Sequence, residues 1–96
     1  MRRDEALARL AAHADEWRAH GVEWLAIFGS VARDEAGPES DIDVLVRFAQ
    51  PVGLFAFLRL QRRLEEVLGC RVDLVTEQAL REPVRQEALR EAIRAT

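Results

Sequence analysis

This sequence predicts a small mixed β-sheet with helices packed on it, an α/β (α+β) fold. Three observations point there. Val22 to Phe28 is a nearly unbroken apolar run, interrupted only by Glu23. Asp41 to Phe48 and Cys70 to Val75 are two further short runs rich in β-branched residues. Amphipathic stretches stand before, between and after these runs, giving the order helix, strand, short helix, strand, helix, strand, helix, which suits a layered sheet-and-helix domain.

Residues 4–20 have the helical period, with Leu7, Leu10, Ala11, Ala14 and Trp17 on one face. Asp4 is placed to cap the start and Glu5 to complement the helix dipole, and Gly21 stops the helix. The length and composition of Val22–Phe28 predict a strand buried on both faces. Residues 31–36 have room for about two helical turns, and Gly37-Pro38 then breaks the chain. A second strand runs from Asp41 to Phe48 and ends at Gln50-Pro51. Residues 53–68 form the longest helix, with Leu54, Phe57, Leu58, Leu64 and Leu68 in one stripe that Phe55, Leu60 and Val67 widen. So broad an apolar surface predicts burial against the sheet and leaves room for a partner. Gly69 caps that helix, and a third strand covers Cys70 to Val75. Residues 77–95 are expected to return to helix, with Pro83 near its start and Leu80, Val84, Ala88 and Ala92 along one side.

The 96 residues make one small domain with an ordinary apolar and charged balance. A net charge of −3 argues against direct nucleic-acid binding. All 14 basic residues are arginine, which reads as genomic composition bias, although arginine also suits phosphate and protein contacts. The single cysteine, Cys70, excludes an internal disulfide, fits a reducing cytoplasm and is expected to fill the core. No signal peptide or membrane-spanning run is present. His13 and His20 lack metal-ligand spacing with any partner and are expected at the surface, while Trp17 and Trp24 are expected in the core, or on a partner surface if exposed.

The chemistry concentrates between Ile27 and Val46. Ile27-Phe28-Gly29-Ser30 ends an apolar strand in a sharp turn, ten mostly polar residues follow, and the chain re-enters a strand through Asp41-Ile42-Asp43. Residues i and i+2 of a strand point to the same side, so Asp41 and Asp43 should project together. Like charges held that close raise one another's pKa, and a divalent cation between them relieves the repulsion. Oxygen ligands of this kind suit Mg²⁺, which binds through one or two carboxylates and substrate phosphates. Gly29 lets backbone approach a ligand closely. Asp73, flanked by Val72, Leu74 and Val75, is costly to bury without a partner, and it can join Asp41 and Asp43 if its strand lies beside theirs. Three carboxylates next to a Gly-Ser turn make a site for metal-assisted phosphoryl or nucleotidyl transfer. Taken singly each feature is weak: Asp-x-Asp pairs often sit in turns, Gly-Ser is usually a simple turn, and a lone strand aspartate can be an ion-pair partner. Their combination carries the argument.

The pattern Phe28-Gly29-Ser30-Val31-Ala32-Arg33, then Asp41-Ile42-Asp43, then Val72-Asp73-Leu74-Val75 resembles the minimal nucleotidyltransferase family of the DNA polymerase β superfamily. The resemblance spans roughly residues 22–95 and implies a polymerase-β-like nucleotidyltransferase fold in a single domain, 1–96. It implies that Gly29 and Ser30 hold the triphosphate of ATP. Asp41 and Asp43 would bind Mg²⁺, and Asp73 would complete the triad and help deprotonate the attacking hydroxyl. Arg33 is a candidate for a phosphate or partner contact, with a surface ion pair to Asp34 or Glu35 as the alternative. Where the family often has glycine after Ala-Arg, this chain has Asp34. Members are commonly encoded with a HEPN-type RNase toxin and act as its antitoxin, in known cases by moving AMP from ATP to a toxin tyrosine. The resemblance thus implies a cytoplasmic protein adenylyltransferase, and the sequence leaves open whether it forms a homo- or hetero-oligomer. Two other classes compete: a binding module that neutralises its partner by contact alone, and a small-molecule nucleotidyltransferase. All three acidic positions are kept, against the first; no acceptor-binding domain follows, against the second.

Overall fold

The computed structural model describes residues 1–35, 37 and 41–96. Among these the elements are α1 (Arg3–Ala12), α2 (Ala14–Ala19), β1 (Val22–Phe28), α3 (Gly29–Ala32), β2 (Ile42–Phe48), α4 (Leu54–Leu68), β3 (Val72–Thr76), a 3₁₀ turn (Glu77–Ala79), α5 (Val84–Glu91) and β4 (Ile93–Arg94). The described strands form one mixed sheet in the order β3-β2-β1-β4. β1 runs antiparallel to both β2 and β4, while β2 and β3 are parallel. A parallel pair needs a crossover, and α4 supplies it. The fold class expected from the sequence is the one observed.

One face of the sheet carries the main core. Leu25 and Ile27 from β1, Ile42, Val44 and Val46 from β2, and Val72 and Leu74 from β3 meet Ala6 and Leu10 of α1, Trp17 of α2 and Leu60, Leu64 and Leu68 of α4. Each large side chain buried this way contributes about 1.5–3 kcal/mol by leaving water. On the opposite face Ala26 and Leu45 are also fully buried, and α5 packs there against β1 and α3 through Ala88. β1 is therefore buried on both faces, as its unbroken apolar run predicts. The same face is left open at the start of β2 and β3, where the acidic residues stand.

Several element boundaries differ from expectation. The helix expected over 4–20 divides at His13, which has φ −111° and ψ 25°. The Leu10 carbonyl accepts from the His13 N–H at 3.2 Å and from the Trp17 indole at 2.8 Å. The indole satisfies its donor inside the core at the cost of helical continuity. Asp4 does not cap α1; Arg2 stands there without a side-chain cap bond, and Ala11 is exposed rather than in the apolar face. The short helix is a single turn, because Asp34 adopts φ 59° and ends it; Ala36 and Pro38, in the expected second turn and break, lie outside the described residues.

The C-terminal stretch is not one helix. Pro83 lacks an N–H and disfavours helical geometry at the residue before it, so α5 begins only at Val84. Ala92 is extended, and Ile93–Arg94 pairs with the edge of β1 at Ala26 and Ile27. An unpaired sheet edge takes strand partners readily, a tertiary demand absent from local periodicity. Val84 is 53% exposed, so it does not line the buried side with Ala88. His13 and His20 stand at the surface, half-buried, and flank the Trp17 ring at 5.9 and 6.4 Å. Trp17 is core, but Trp24 is half-buried beneath the Arg94 guanidinium, 5.6 Å from its centroid.

Candidate active site

Strand register brings the acidic residues together. Asp43 is opposite Phe28 on the antiparallel side and opposite Asp73 on the parallel side. Residues directly opposite share a face, so Phe28, Asp43 and Asp73 lie in one row across β1, β2 and β3. Asp41 precedes β2 and is exposed; Asp73 is exposed and Asp43 half-buried. The Asp43 carboxyl is held above its ordinary pKa, first by burial and then by the charges of Asp73 and Asp41, with Asp73 also within hydrogen-bonding reach. Arg33 opposes this shift. The pairing of β3 with β2 thus places Asp73 beside Asp43, and Asp41 acts on Asp43 through its charge. Among the described residues no three His, Cys, Asp or Glu side chains converge closely enough to enclose a metal ion by themselves.

Gly29 follows Phe28 and turns under the Asp43 carboxylate. Its φ is +71°, in the left-handed region that side chains disfavour. A Cβ there would collide with Asp43 Oδ2 and stand 3.2 Å from Cγ. Glycine is therefore required twice, by its backbone and by the carboxylate above it. Ser30 is the second residue of α3 and is half-buried beside this turn.

Arg33 closes α3. Its Nε donates to Glu35 at 3.1 Å and its Nη1 to Glu91 at 2.8 Å. These two carboxylates, Glu35 foremost, hold its pKa above the usual guanidinium value. The pair with Glu35 matches the ion-pair alternative for Arg33. Glu91 was not legible: it lies 58 residues away, on a helix whose docking against α3 no local pattern announces. Asp34 turns its carboxylate away from this cluster and accepts the Arg3 backbone N–H at 3.1 Å. Its left-handed φ explains why glycine suits this position and why aspartate, one of the few residues that tolerate that conformation, can replace it. Cys70 packs against the core, and burial pushes its thiol pKa up.

Paired carboxylates at the open edge of a mixed sheet, with a turn that admits no side chain against them, suit an enzyme that binds phosphates. Comparison with known proteins agrees. The family model for the nucleotidyltransferase domain matches residues 10–95. The protein adenylyltransferase MntA of Thermococcus cleftensis is 40% identical over 91 residues, 94% of this chain and 92% of that protein. A solved structure provisionally assigned as a minimal nucleotidyltransferase superposes with TM-score 0.83 at 42% identity, over 97% of this chain and 95% of that one. A chain from a complex of a tri-AMPylated Shewanella oneidensis HEPN toxin with an MNT antitoxin superposes with TM-score 0.68 over 95% of this chain and 71% of that one; at 19% identity the likeness is one of fold. The chain belongs to the nucleotidyltransferase domain family. Among the described residues no helix is long and apolar enough to cross a membrane.

Proposed function

We propose that this chain transfers an adenylyl group from ATP to a hydroxyl of a partner protein, and that the partner is a HEPN-type toxin which it thereby neutralises. The observation that carries the reading is the row Asp43–Asp73 with Gly29 turned beneath Asp43. The strong identity to a protein adenylyltransferase supports AMP as the group and a protein as acceptor.

The donor set fits a hard divalent cation. It consists of carboxylate oxygens, and Asp43 and Asp73 repel each other in a way that a cation relieves. Two carboxylates completed by substrate phosphates is the usual Mg²⁺ arrangement, so the lack of a closed protein cage is no obstacle. In this proposal Asp41 and Asp43 hold the ion, and Asp73 completes the triad beside them. When bound, Mg²⁺ would neutralise charge developing on the phosphates. Gly29 and Ser30 take the triphosphate, where the first amides of α3 lack intrahelical acceptors. Asp73, the more exposed of the facing pair, accepts the proton of the attacking hydroxyl. The hydroxyl oxygen forms a bond to the α-phosphorus, the bond from that phosphorus to the bridging oxygen breaks, and pyrophosphate leaves with the electron pair. The proposed setting is the cytoplasm, where ATP is present and Cys70 stays reduced.

The test is to incubate the chain with ATP, Mg²⁺ and a HEPN-type partner and weigh the partner. Asp73→Asn should leave the partner unmodified and the toxin active. A toxin neutralised by Asp73→Asn at unchanged mass would refute the enzymatic reading in favour of contact alone.

A further inference from the structure

The helix α4 buries one apolar face and leaves further apolar residues exposed on its first turns. Leu60, Leu64 and Leu68 are buried, with Phe57 and Val67 packed beside them. Phe55 and Leu58 point elsewhere: they are 75% and 46% exposed, and Leu54 next to them is 68% exposed. Phe55, Leu58, Arg59 and Arg62 fall at i, i+3, i+4 and i+7, one continuous stripe, and they line a depression of about 250 Å³. Among the described residues neither Arg59 nor Arg62 makes an ion pair, whereas Arg63, one position on, is bound to Glu16 and Glu66. α4 returns the chain from the end of β2 to the start of β3, so its N-terminal half lies at the end of the sheet remote from Asp43 and Asp73.

We propose that this stripe docks a partner protein through an apolar helix face edged by carboxylates. A stripe of i, i+3, i+4, i+7 anchors is the pattern that helix-to-helix recognition uses. Exposed Phe and Leu supply the area to be dried, and two unpaired guanidiniums beside them fit bidentate carboxylates. A second copy of this chain is a poor occupant. The four residues carry no acid, and Glu66, the next position along the stripe, is already held by Arg63, so this face of a second copy offers Arg59 and Arg62 no free carboxylate. The docking face is independent of the site chemistry and holds whether or not the partner is modified.

The test uses two synthetic helical peptides with the same leucine face, one flanked by glutamate and one by lysine, with binding read by fluorescence anisotropy. The glutamate peptide should bind the full chain, with affinity falling as salt rises. Phe55→Ala should weaken it by at least about tenfold, as expected for a central aromatic anchor. Arg59→Glu with Arg62→Glu should reverse the preference to the lysine peptide. All three positions are on the surface, and a thermal melt verifies that the variants fold. Equal binding of both peptides, or of neither, would overturn the proposal. So would a dimer in sedimentation that Phe55→Ala dissolves, or binding to phosphatidylglycerol vesicles in preference to the peptide.

Discussion

Replacing Gly29 with alanine separates a site effect from a folding effect, because the fold supplies its own control. Gly29 and Gly69 have nearly the same backbone, φ +71° and +72°. Alanine at either position carries the left-handed penalty of roughly 1–2 kcal/mol. A domain stable by about 5–15 kcal/mol survives either change. The neighbours differ. At Gly69 the nearest atom to an added Cβ is Arg9 Nη1 at 3.8 Å, an ordinary contact. At Gly29 the added Cβ overlaps the Asp43 carboxylate and forces it to swing by about 1 Å. A misplacement of that size at a reacting centre costs about 10²-fold. Both variants should therefore melt a few degrees below wild type and within error of each other. Gly29→Ala should lose about 100-fold in nucleotide transfer and bind Mg²⁺·ATP measurably more weakly by calorimetry, while Gly69→Ala keeps both. Equal transfer rates and equal Mg²⁺·ATP affinities in the two variants would refute the assignment of Gly29 to the site.

The remaining predictions concern the carboxylates and one ion pair. Asp43 has its folded pKa raised above the unfolded value, so the folded form binds the extra proton between those two values and stability falls as pH rises through that window. Asp43→Asn should remove this loss and raise the melting temperature at neutral pH without divalent cation, while abolishing transfer; an unchanged or lower melting temperature would count against it. Asp73→Asn should leave Mg²⁺·ATP binding measurable and cut transfer by about 10²–10⁴, checked by partner mass. Glu16 takes two bonds from Arg63, which hold its pKa below the usual carboxylate value against opposing desolvation. Its stabilising share is present above the unfolded pKa and lost as pH falls through the folded one. Glu16→Gln should cost no more than about 1 kcal/mol at neutral pH, since the pair is partly solvated, and the difference from wild type should vanish in acid denaturant melts.

Much of this protein is written locally. The unbroken run of β1 fixes a strand buried on two faces, because Leu25, Ala26 and Ile27 have no polar side to turn to water. Period two pairs Asp41 with Asp43 in the sequence, although Asp41 precedes β2 in the fold, and Gly29 reads as a turn glycine, while the Asp43 carboxylate over it comes from the pairing of β1 with β2. The family likeness is carried by these same residues. Tertiary structure decided the rest. That Asp73 stands opposite Asp43 depends on β3 lying beside β2, a pairing 30 residues long-range that α4 makes possible. Arg33 faces Glu91 only because α5 docks on α3. Trp17 broke an apparently continuous helix by bonding the Leu10 carbonyl, and the free edge of β1 drew Ile93 and Arg94 out of a helical pattern. Periodicity records which residues are apolar on each element. It does not record which of them the sheet will cover, which is why the broad apolar surface of residues 53–68 left both the sheet and a partner open, and why only the fold shows Phe55 and Leu58 in solvent.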